Sequence, residues 1–282
     1  MTKTLLAGLL CGAALAAPAA PPFFVFDNGL RGEGLGTIAA QLDLAKSAGY
    51  AGVSWRSDTP ARLAEVRNGA KARGLEVFVV YVNLDLKDGK LVPDAHVKEV
   101  IEAFKGTATM VWPNMTSKQF GNSDPTGDEI AVAGLRDLAD LCASNGLRIA
   151  IYPHVNMWCH RVEDALRVVK KVDRPNVGLT FNLCHALYDS AEDRIPALLA
   201  DLVPHLFCVT INGADSHPPQ RDWSHLIKPL GQGSYDVGAL LRRLAEVGYQ
   251  GPIGQQCYSI KQDPRVYLPA SVEAWKKLTS KE

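Results

Sequence analysis

The sequence has no excess of charge of either sign. It contains 30 Lys plus Arg residues and 30 Asp plus Glu residues among 282, so its formal net charge is zero. Binding to nucleic acid or to an anionic membrane surface requires clustered positive charge, and the sequence contains no long basic run. At 47% hydrophobic and 21% charged residues, the composition is that of an ordinary globular protein. These features favour a small, uncharged or weakly charged ligand and argue against a nucleic-acid partner.

Cysteine is scarce, and the sequence contains no Cys-x-x-Cys pair. Of the six cysteines, Cys11 lies near the N-terminus and the other five are spread over residues 142–257. The five cysteines after Cys11 are an odd number and form no close pair, so they are neither a disulfide framework nor a zinc knuckle. We expect most of the five to be small buried residues on strands and helices.

Long hydrophobic runs are also lacking, except for one at the N-terminus. The stretch "MTKTLLAGLLCGAALAAPAAPP" has one lysine, an apolar run over residues 5–17 and small residues with Ala-x-Ala spacing. This pattern is typical of a secretory signal peptide, and the run is too short to span a bilayer comfortably. We therefore predict a signal peptide over residues 1–20, a mature domain over residues 21–282, and export to the periplasm or the extracellular space.

Four segments share one pattern, in which a helix-like approach is followed by a glycine and then by an apolar run. They are "SAGYAGVSW" (47–55), "ARGLEVFVV" (72–80), "SNGLRIAIY" (144–152) and "EVGYQGPIG" (246–254). A glycine just past a helix accepts the left-handed conformation that ends the helix. The apolar runs of four to eight residues are typical of buried parallel strands. The repeat predicts helices that alternate with strands.

Eight strands are predicted in this way, over residues 23–26, 51–55, 75–82, 108–112, 147–152, 176–181, 205–211 and 252–256. About eight helices lie between them, which favours a single (β/α)8 TIM barrel, an α/β fold without a second domain. A doubly wound open sheet is the alternative. The segment after its first strand has the spacing Gly32-x-Gly34-x-Gly36, which lacks the later glycine of a dinucleotide-binding turn.

In such barrels the chemistry lies at the carboxyl ends of the strands. The residues found there are Asp27, Trp55, Tyr81, Asn83, Trp112, Asn114, Tyr152, His154, Asn182, His185, Thr210, Asn212, Gln256 and Tyr258. They are mostly aromatic, amide and imidazole side chains, and Asp27 is the only carboxylate among them. Aromatic faces and amide hydrogen bonds suit an uncharged sugar or polyol.

Several stretches resemble the xylose isomerase-like barrel superfamily, the sugar isomerase/epimerase group that also includes zinc endonucleases for abasic sites. They are "LRIAIYPH", "PNVGLTFNLCH", "LFCVTINGAD" and "IKPLGQGSYDVGALLRRLAEVGYQGPIGQQCY". In that superfamily the four corresponding strands end in a metal-binding Glu, an Asp followed by a His, a His, and a second Glu. The resemblance covers essentially the whole mature chain. It implies a TIM barrel that acts on a carbohydrate.

The resemblance also assigns the positions of the metal ligands. Tyr152 and Gln256 stand at the two Glu positions, Asn182 at the Asp position, and Thr210 or Asn212 at the His position. All are neutral, and an amide lacks the charge that offsets the dehydration of a divalent cation. We therefore predict no cofactor. A site for Mn, Zn or Co, completed by carboxylates from the loops, is the alternative.

Two histidines, His154 and His185, match superfamily positions that lie beside the metal and contact substrate. Either can carry a proton near neutral pH. A histidine bonded within its own loop is the simpler alternative, but two at neighbouring strand ends favour catalysis. Asp27 is a candidate general base or, equally, a loop cap. We predict catalytic roles for His154, His185 and Asp27, and substrate contacts from Tyr152, Asn182, Asn212, Gln256 and Trp112.

These observations favour a sugar isomerase, epimerase or lyase that moves a proton next to the carbonyl group of a carbohydrate or keto-sugar. A non-catalytic carbohydrate-binding protein on an inactivated isomerase fold is the alternative. The neutral ligand positions favour that alternative, whereas the two histidines argue against it. A DNA-repair endonuclease is not favoured, because it needs a His/Asp/Glu cluster for several zinc ions and a basic surface.

Overall fold

The computed structural model describes residues 20–189 and 191–280. The predicted signal peptide over residues 1–20 therefore lies outside the described residues, apart from its last position. Within the described ranges, no helix has the length and apolar character needed to cross a membrane.

Eight parallel strands close into a barrel, and a ninth is added at its rim. The strands are β1 (Phe23–Val25), β2 (Gly52–Arg56), β3 (Glu76–Lys87), β4 (Lys90–Pro93), β5 (Met110–Ser117), β6 (Arg148–Ile151), β7 (Val177–Asn182), β8 (Leu206–Ile211) and β9 (Ile253–Gln255). All except β4 pair in parallel with their neighbours, and the pairing of β2 with β3 completes the ring. The predicted (β/α)8 TIM barrel is confirmed.

Helices follow the strands, and the longer ones cover the outside of the barrel. In the described part of the chain they are α1 (Ile38–Ala48), α2 (Pro60–Ala72), α3 (Val97–Phe104), α4 (Asp128–Ser144), α5 (Val162–Val172), α6 (Leu183–Tyr188), α7 (Ile195–Leu202), α8 (Trp223–Leu226), α9 (Val237–Glu246) and α10 (Pro264–Thr279). Their ends follow ordinary capping rules. Asp263 caps α10 ahead of Pro264, and Gly49 ends α1 with a left-handed φ of 96°, as its position in the sequence predicts.

The barrel interior is filled by alternate residues of the strands. It contains Phe24, Phe26, Val79, Met110, Trp112, Ala150, Tyr152 and Cys208, because successive side chains of a strand point to opposite faces. Small residues make room for the large ones. A Cβ atom at Gly254 would clash with the ring of Phe24. Tyr152 directly follows β6 and is the last interior residue of that segment. It therefore closes the barrel interior at the carboxyl ends of the strands.

Two strands run further than the sequence predicts. The predicted ends at residues 82 and 112 fall within β3 and β5, which extend in register to Lys87 and Ser117. The chain then turns at Asp88-Gly89, where φ is 52° and 71°, and β4 returns antiparallel to β3. Asp-Gly is a strong signal for a tight hairpin. The extension carries Asn114 on β5 above the barrel mouth.

Candidate active site

A cavity of about 470 Å³ opens at the carboxyl ends of the barrel strands. Its wall includes four residues that the sequence predicts as site residues, namely Tyr152, His154, His185 and Gln256. None of the described residues that line it is an Asp, Glu, Lys or Arg. Ligand pockets of about 300–1,000 Å³ are usual for small molecules, so the cavity has the size and the polarity expected for an uncharged small molecule.

Asp27 does not join the histidines. Its side chain is buried, and one carboxylate oxygen lies 2.7 Å from a guanidinium nitrogen of Arg31 and 3.4 Å from one of Arg56. The backbone N–H of Asp27 donates to the hydroxyl of Ser54. Two guanidinium groups therefore contact this carboxylate, and Asp27 lies outside the cavity lining. The structure thus places Asp27 in ion pairs at the end of β1, apart from the two histidines of the cavity lining.

Trp112 and Asn212, predicted to contact substrate, lie outside the lining as well. Trp112 is fully buried, its indole N–H donates to the hydroxyl of Thr180, and its ring lies 4.3 Å from that of Tyr152. The amide of Asn212 donates to the carbonyls of Gly213 and Leu226, each at 2.7 Å. Both residues support the wall of the cavity from behind, because burial leaves them no surface for a ligand.

Two amide side chains converge on the hydroxyl of Tyr152. The carbonyl oxygen of Asn182 accepts the backbone N–H of Cys184 at 3.1 Å, so its NH2 group faces the Tyr152 hydroxyl and donates to it. The carbonyl oxygen of Gln256 accepts the two backbone N–H groups that follow it, each at 2.9 Å, and its NH2 group lies 3.4 Å from the same hydroxyl. Backbone donors therefore fix both amide orientations. Asn182 lies beneath the cavity and acts through Tyr152.

The Tyr152 hydroxyl is consequently a hydrogen-bond donor. Its oxygen receives the two NH2 groups, which leaves the O–H free to donate. Burial raises the pKa of Tyr152 well above its ordinary value of 10.0, so the hydroxyl keeps its proton. The nearest imidazole nitrogen, Nε2 of His185, lies 3.5 Å away. This hydroxyl can donate to His185 or to an oxygen atom of a ligand in the cavity.

His154 presents an unprotonated nitrogen. Its Nδ1 lies 2.8 Å from the carbonyl oxygen of Val155, and a carbonyl only accepts, so Nδ1 carries the hydrogen and Nε2 the lone pair. Burial lowers the pKa of His154 below its ordinary value of 6.5. The imidazole is therefore neutral at pH 7, and Nε2 is available as a base.

His185 lies against His154, with ring centroids 4.3 Å apart. Burial, and then the neighbouring His154, lower the pKa of His185 well below 6.5. Its Nδ1 has no hydrogen-bond partner among the described residues. Because a charge on one imidazole disfavours a charge on the other, the pair accepts a single proton at most. Such a pair can take up one proton from a substrate and return it.

The loop between β6 and α5 holds His154 in place. The backbone N–H of His154 donates to the carbonyl of Cys159, and its carbonyl accepts the N–H of Met157. The N–H of Asn156, which has a positive φ of 66°, donates to Nδ1 of His160 at 2.8 Å. Local hydrogen bonds thus close the loop on itself, and the imidazole at its start has a fixed direction.

The chain is similar to known proteins in sequence and in fold. The model of the xylose isomerase-like TIM barrel family matches residues 42–278. The chain belongs to this family. A 3-dehydroshikimate dehydratase of Pseudomonas aeruginosa is 25% identical over 244 residues, which cover 79% of this chain and 36% of that protein. An uncharacterized protein of Methanocaldococcus jannaschii is 24% identical over 169 residues, 58% of this chain and 52% of that protein. The chain thus spans between a third and about half of these relatives' length.

Solved structures with the same fold include two epimerases. The 3-keto-D-glucoside 4-epimerase of E. coli superposes with a TM-score of 0.70 at 20% identity, over 91% of this chain and 99% of that one. A D-allulose 3-epimerase from Methylomonas superposes with a TM-score of 0.71 at 16% identity, over 94% of this chain and 100% of that one. At these identities the likeness establishes the barrel fold that the sequence predicts.

The residues at the ligand positions of this xylose isomerase-like barrel do not fit a divalent metal. The carbonyl oxygens of Asn182 and Gln256 already accept backbone N–H groups, Tyr152 keeps its proton, and Thr210 is fully buried. A cation would have to displace these hydrogen bonds and would gain no negative charge in return. Between residues 20 and 280, with residue 190 set aside, no three His, Cys, Asp or Glu side chains are close enough to share a metal ion.

Sequence reasoning did not select several lining residues. Tyr81 and Asn114 line the cavity and lie at the predicted ends of their strands, but the sequence assigns them no role. The side-chain carbonyl oxygen of Asn114 is buried without a partner among the described residues. Asn28 follows Asp27, and its NH2 group donates to the carbonyl oxygen of Gln256 at 2.8 Å. The position next to a strand end was the available signal for all three.

The sequence also assigns no site role to the residues at the outer wall of the cavity. Met157, Trp223 and Tyr258 line the mouth of the cavity. Met157 lies in the β6–α5 loop, and Trp223 belongs to the four-residue helix α8 in the long segment between β8 and α9. The sequence gives no signal for the path of this segment, because its position depends on contacts with other loops.

Proposed function

We propose that the protein binds a keto-sugar and transfers the proton on the carbon next to its carbonyl group, as an isomerase, epimerase or lyase. The pair of neutral imidazoles, His154 and His185, in the cavity above the barrel carries this proposal. General bases work best when they are unprotonated at the working pH and within reach of the proton they take. The names of the two epimerases and of the dehydratase support a substrate with a carbonyl group.

In the proposed reaction, Nε2 of His154 takes the proton and becomes an imidazolium nitrogen. The electron pair of the broken C–H bond forms the C=C bond of an enolate, whose oxygen gains negative charge. The Tyr152 hydroxyl donates a hydrogen bond to that oxygen, which is strongest where water is excluded. The imidazolium then returns its proton to the same carbon while the C=O bond re-forms, or, where that carbon carries a hydroxyl group, to the former carbonyl carbon while the hydroxyl proton passes to the enolate oxygen and the new C=O bond forms. Atoms and charge balance without any further reactant.

No divalent metal takes part in this proposal. The amide groups of Asn182 and Gln256 point their NH2 ends toward Tyr152 and not toward a cation. They orient the Tyr152 hydroxyl as a donor, and this donor stabilises the enolate oxygen where the superfamily has a metal. The arrangement suits a substrate that is already a ketone, because its neighbouring C–H group is more acidic than that of an alcohol.

A carbohydrate-binding protein without catalysis is the second candidate. The lack of any carboxylate among the described lining residues favours it, and so does the long contact of 3.5 Å between Tyr152 and His185. Binding alone makes no use of an imidazole base, whereas proton transfer does, and the cavity lining contains two imidazoles in contact. Deuterium uptake by a keto-sugar in heavy water separates the two candidates.

The pH dependence of proton exchange gives a specific prediction. Because burial lowers the pKa of both His154 and His185 below 6.5, the base is neutral at pH 7. We expect the exchange rate to be constant above pH 6.5 and to fall as the pH drops through a pKa below that value. Proton NMR of the disappearing C–H signal measures it, after subtraction of the rate without protein. A rate that reaches half its maximum at or above pH 6.5 contradicts the assignment of the base.

A further inference from the structure

The mouth of the cavity has an aromatic surface that the proton transfer does not use. The rings of Trp223 and Tyr258 lie 6.3 Å apart and nearly perpendicular, and the ring of Trp223 lies 5.7 Å from that of His185. Tyr258 is 53% exposed, an unusual exposure for a large hydrophobic side chain in this protein. With the half-buried Met157 these residues form what we call the rim. It runs from the imidazole pair out to solvent.

The fold positions the rim firmly. One face of Trp223 stacks on Tyr188, with centroids 5.3 Å apart and an angle of 23°. The carboxylate of Asp222 caps the short helix that carries Trp223. It accepts the backbone N–H groups of Ser224 and His225. The backbone N–H of Tyr258 donates to the carbonyl oxygen of Gln256. The rim is thus connected through the backbone to the inner part of the site.

Charge limits what the cavity can take. A phosphate group would find no Lys or Arg among the described lining residues, and the two buried imidazoles favour their neutral forms. The nearby carboxylates are occupied, since Asp27 pairs with Arg31 and Asp189 with His160. Burying an anion without a partner is costly, so the cavity suits an uncharged ligand.

The volume of the cavity is larger than a single sugar ring requires. At about 470 Å³ the cavity has room for roughly fifteen water molecules, which is more than one hexose displaces. With the reacting carbon at the imidazole pair, the remote part of a longer ligand reaches the rim. Aromatic side chains bind sugar rings and apolar groups through their faces and edges.

We propose that the rim of Met157, Trp223 and Tyr258 is a second subsite, which binds the group attached through a glycosidic oxygen to an uncharged sugar. The ligand class is therefore an uncharged glycoside and not a sugar phosphate. The proposal rests on the proposed function only for the placement of the inner ring at the histidines.

Titration calorimetry on the full chain tests this subsite with four ligands. They are the 4-nitrophenyl and methyl glycosides of one hexose that carries a ketone on a ring carbon other than the anomeric carbon, the free keto-sugar, and its phosphate ester. We expect the nitrophenyl glycoside to bind more tightly than the methyl glycoside, and the phosphate ester to bind most weakly. Tyr258→Ala should lower the ratio of the two glycoside affinities roughly three- to tenfold. Val266→Ala, at an exposed position on α10, should preserve that ratio.

Equal affinities for the two glycosides in the unmodified protein would overturn the subsite, as would tight binding of the phosphate ester or an unchanged ratio in Tyr258→Ala. Failure to bind any of the four would overturn it too. Deuterium exchange in the same ligands is measured separately. The expected binding order without exchange in any ligand would contradict the proposed catalysis and leave the subsite intact.

Discussion

His154→Gln should lower the rate of proton exchange in a bound keto-sugar by about 10²–10⁴-fold, the usual contribution of a general base. Glutamine has a similar length and an NH2 group that can still donate to the carbonyl of Val155, but it has no basic nitrogen. His185 does not replace the lost base, because its pKa is lowered further and its Nε2 faces the Tyr152 hydroxyl. Affinity for the sugar should change much less than the rate.

The matched control is His217→Gln. The side chain of His217 is 63% exposed and pairs with acidic residues at the surface, away from the cavity lining. We expect it to leave the exchange rate within about twofold of the unmodified protein, since surface substitutions usually have small effects. Equal rates for His154→Gln and the unmodified protein would remove His154 from the mechanism.

Trp112→Ala should lower the free energy of unfolding by about 3–5 kcal/mol, as large-to-small substitutions of buried aromatic residues do. Trp112 is fully buried in the barrel interior, where its ring contacts Phe26 and Tyr152 and its N–H donates to Thr180. The substitution leaves a cavity beneath Tyr152 and an unpaired hydroxyl. Domains are commonly stable by about 5–15 kcal/mol, so a large share of the stability is lost.

Urea unfolding followed by fluorescence and circular dichroism measures this loss. Val266→Ala, at an exposed position on α10 with 66% relative exposure, is the control and should change the free energy of unfolding by less than about 0.5 kcal/mol. If Trp112→Ala kept its stability and lost only sugar affinity, Trp112 would contact the ligand directly, as the sequence alone predicts, and the structural assignment would be wrong.

The barrel could be predicted because its signals are local. Each helix-ending glycine and the apolar run that follows it lie within about ten consecutive residues. The alternation of helices and strands can therefore be predicted without tertiary information. The extensions of β3 and β5 were missed because Asn83 and Asn114 look like the polar residues that end a strand. In the structure they are partners in the parallel register of these two strands, a pairing between segments that are distant in sequence.

The candidate site was predictable only in part. His154 and His185 follow from their places at strand ends, and the structure brings their rings together. Of the two ion pairs of Asp27, the one with Arg31 is local in sequence, whereas the one with Arg56 forms only once β1 pairs with β2. Trp223 could not be placed, because its position depends on how a long loop folds over Tyr188.

The sequence shows that uncharged residues stand at the metal-ligand positions implied by the resemblance, but it does not show how their side chains are oriented. The residue types of Asn182 and Gln256 show that charge is absent. The structure adds that both carbonyl oxygens accept backbone N–H groups and that both NH2 groups face Tyr152. In this orientation both amides support a single hydroxyl donor, and this is the basis of the proposed mechanism without a metal.

Deuterium incorporation into a keto-sugar in heavy water, by protein dialysed against EDTA and checked for metal content, tests the central claim most directly. We predict exchange at a single carbon next to the carbonyl, at the same rate before and after chelation and after addition of Mn²⁺, Zn²⁺ or Co²⁺. No exchange under any of these conditions, or exchange that is lost on chelation and restored by one of the metals, would contradict proton transfer by the His154–His185 pair without a metal.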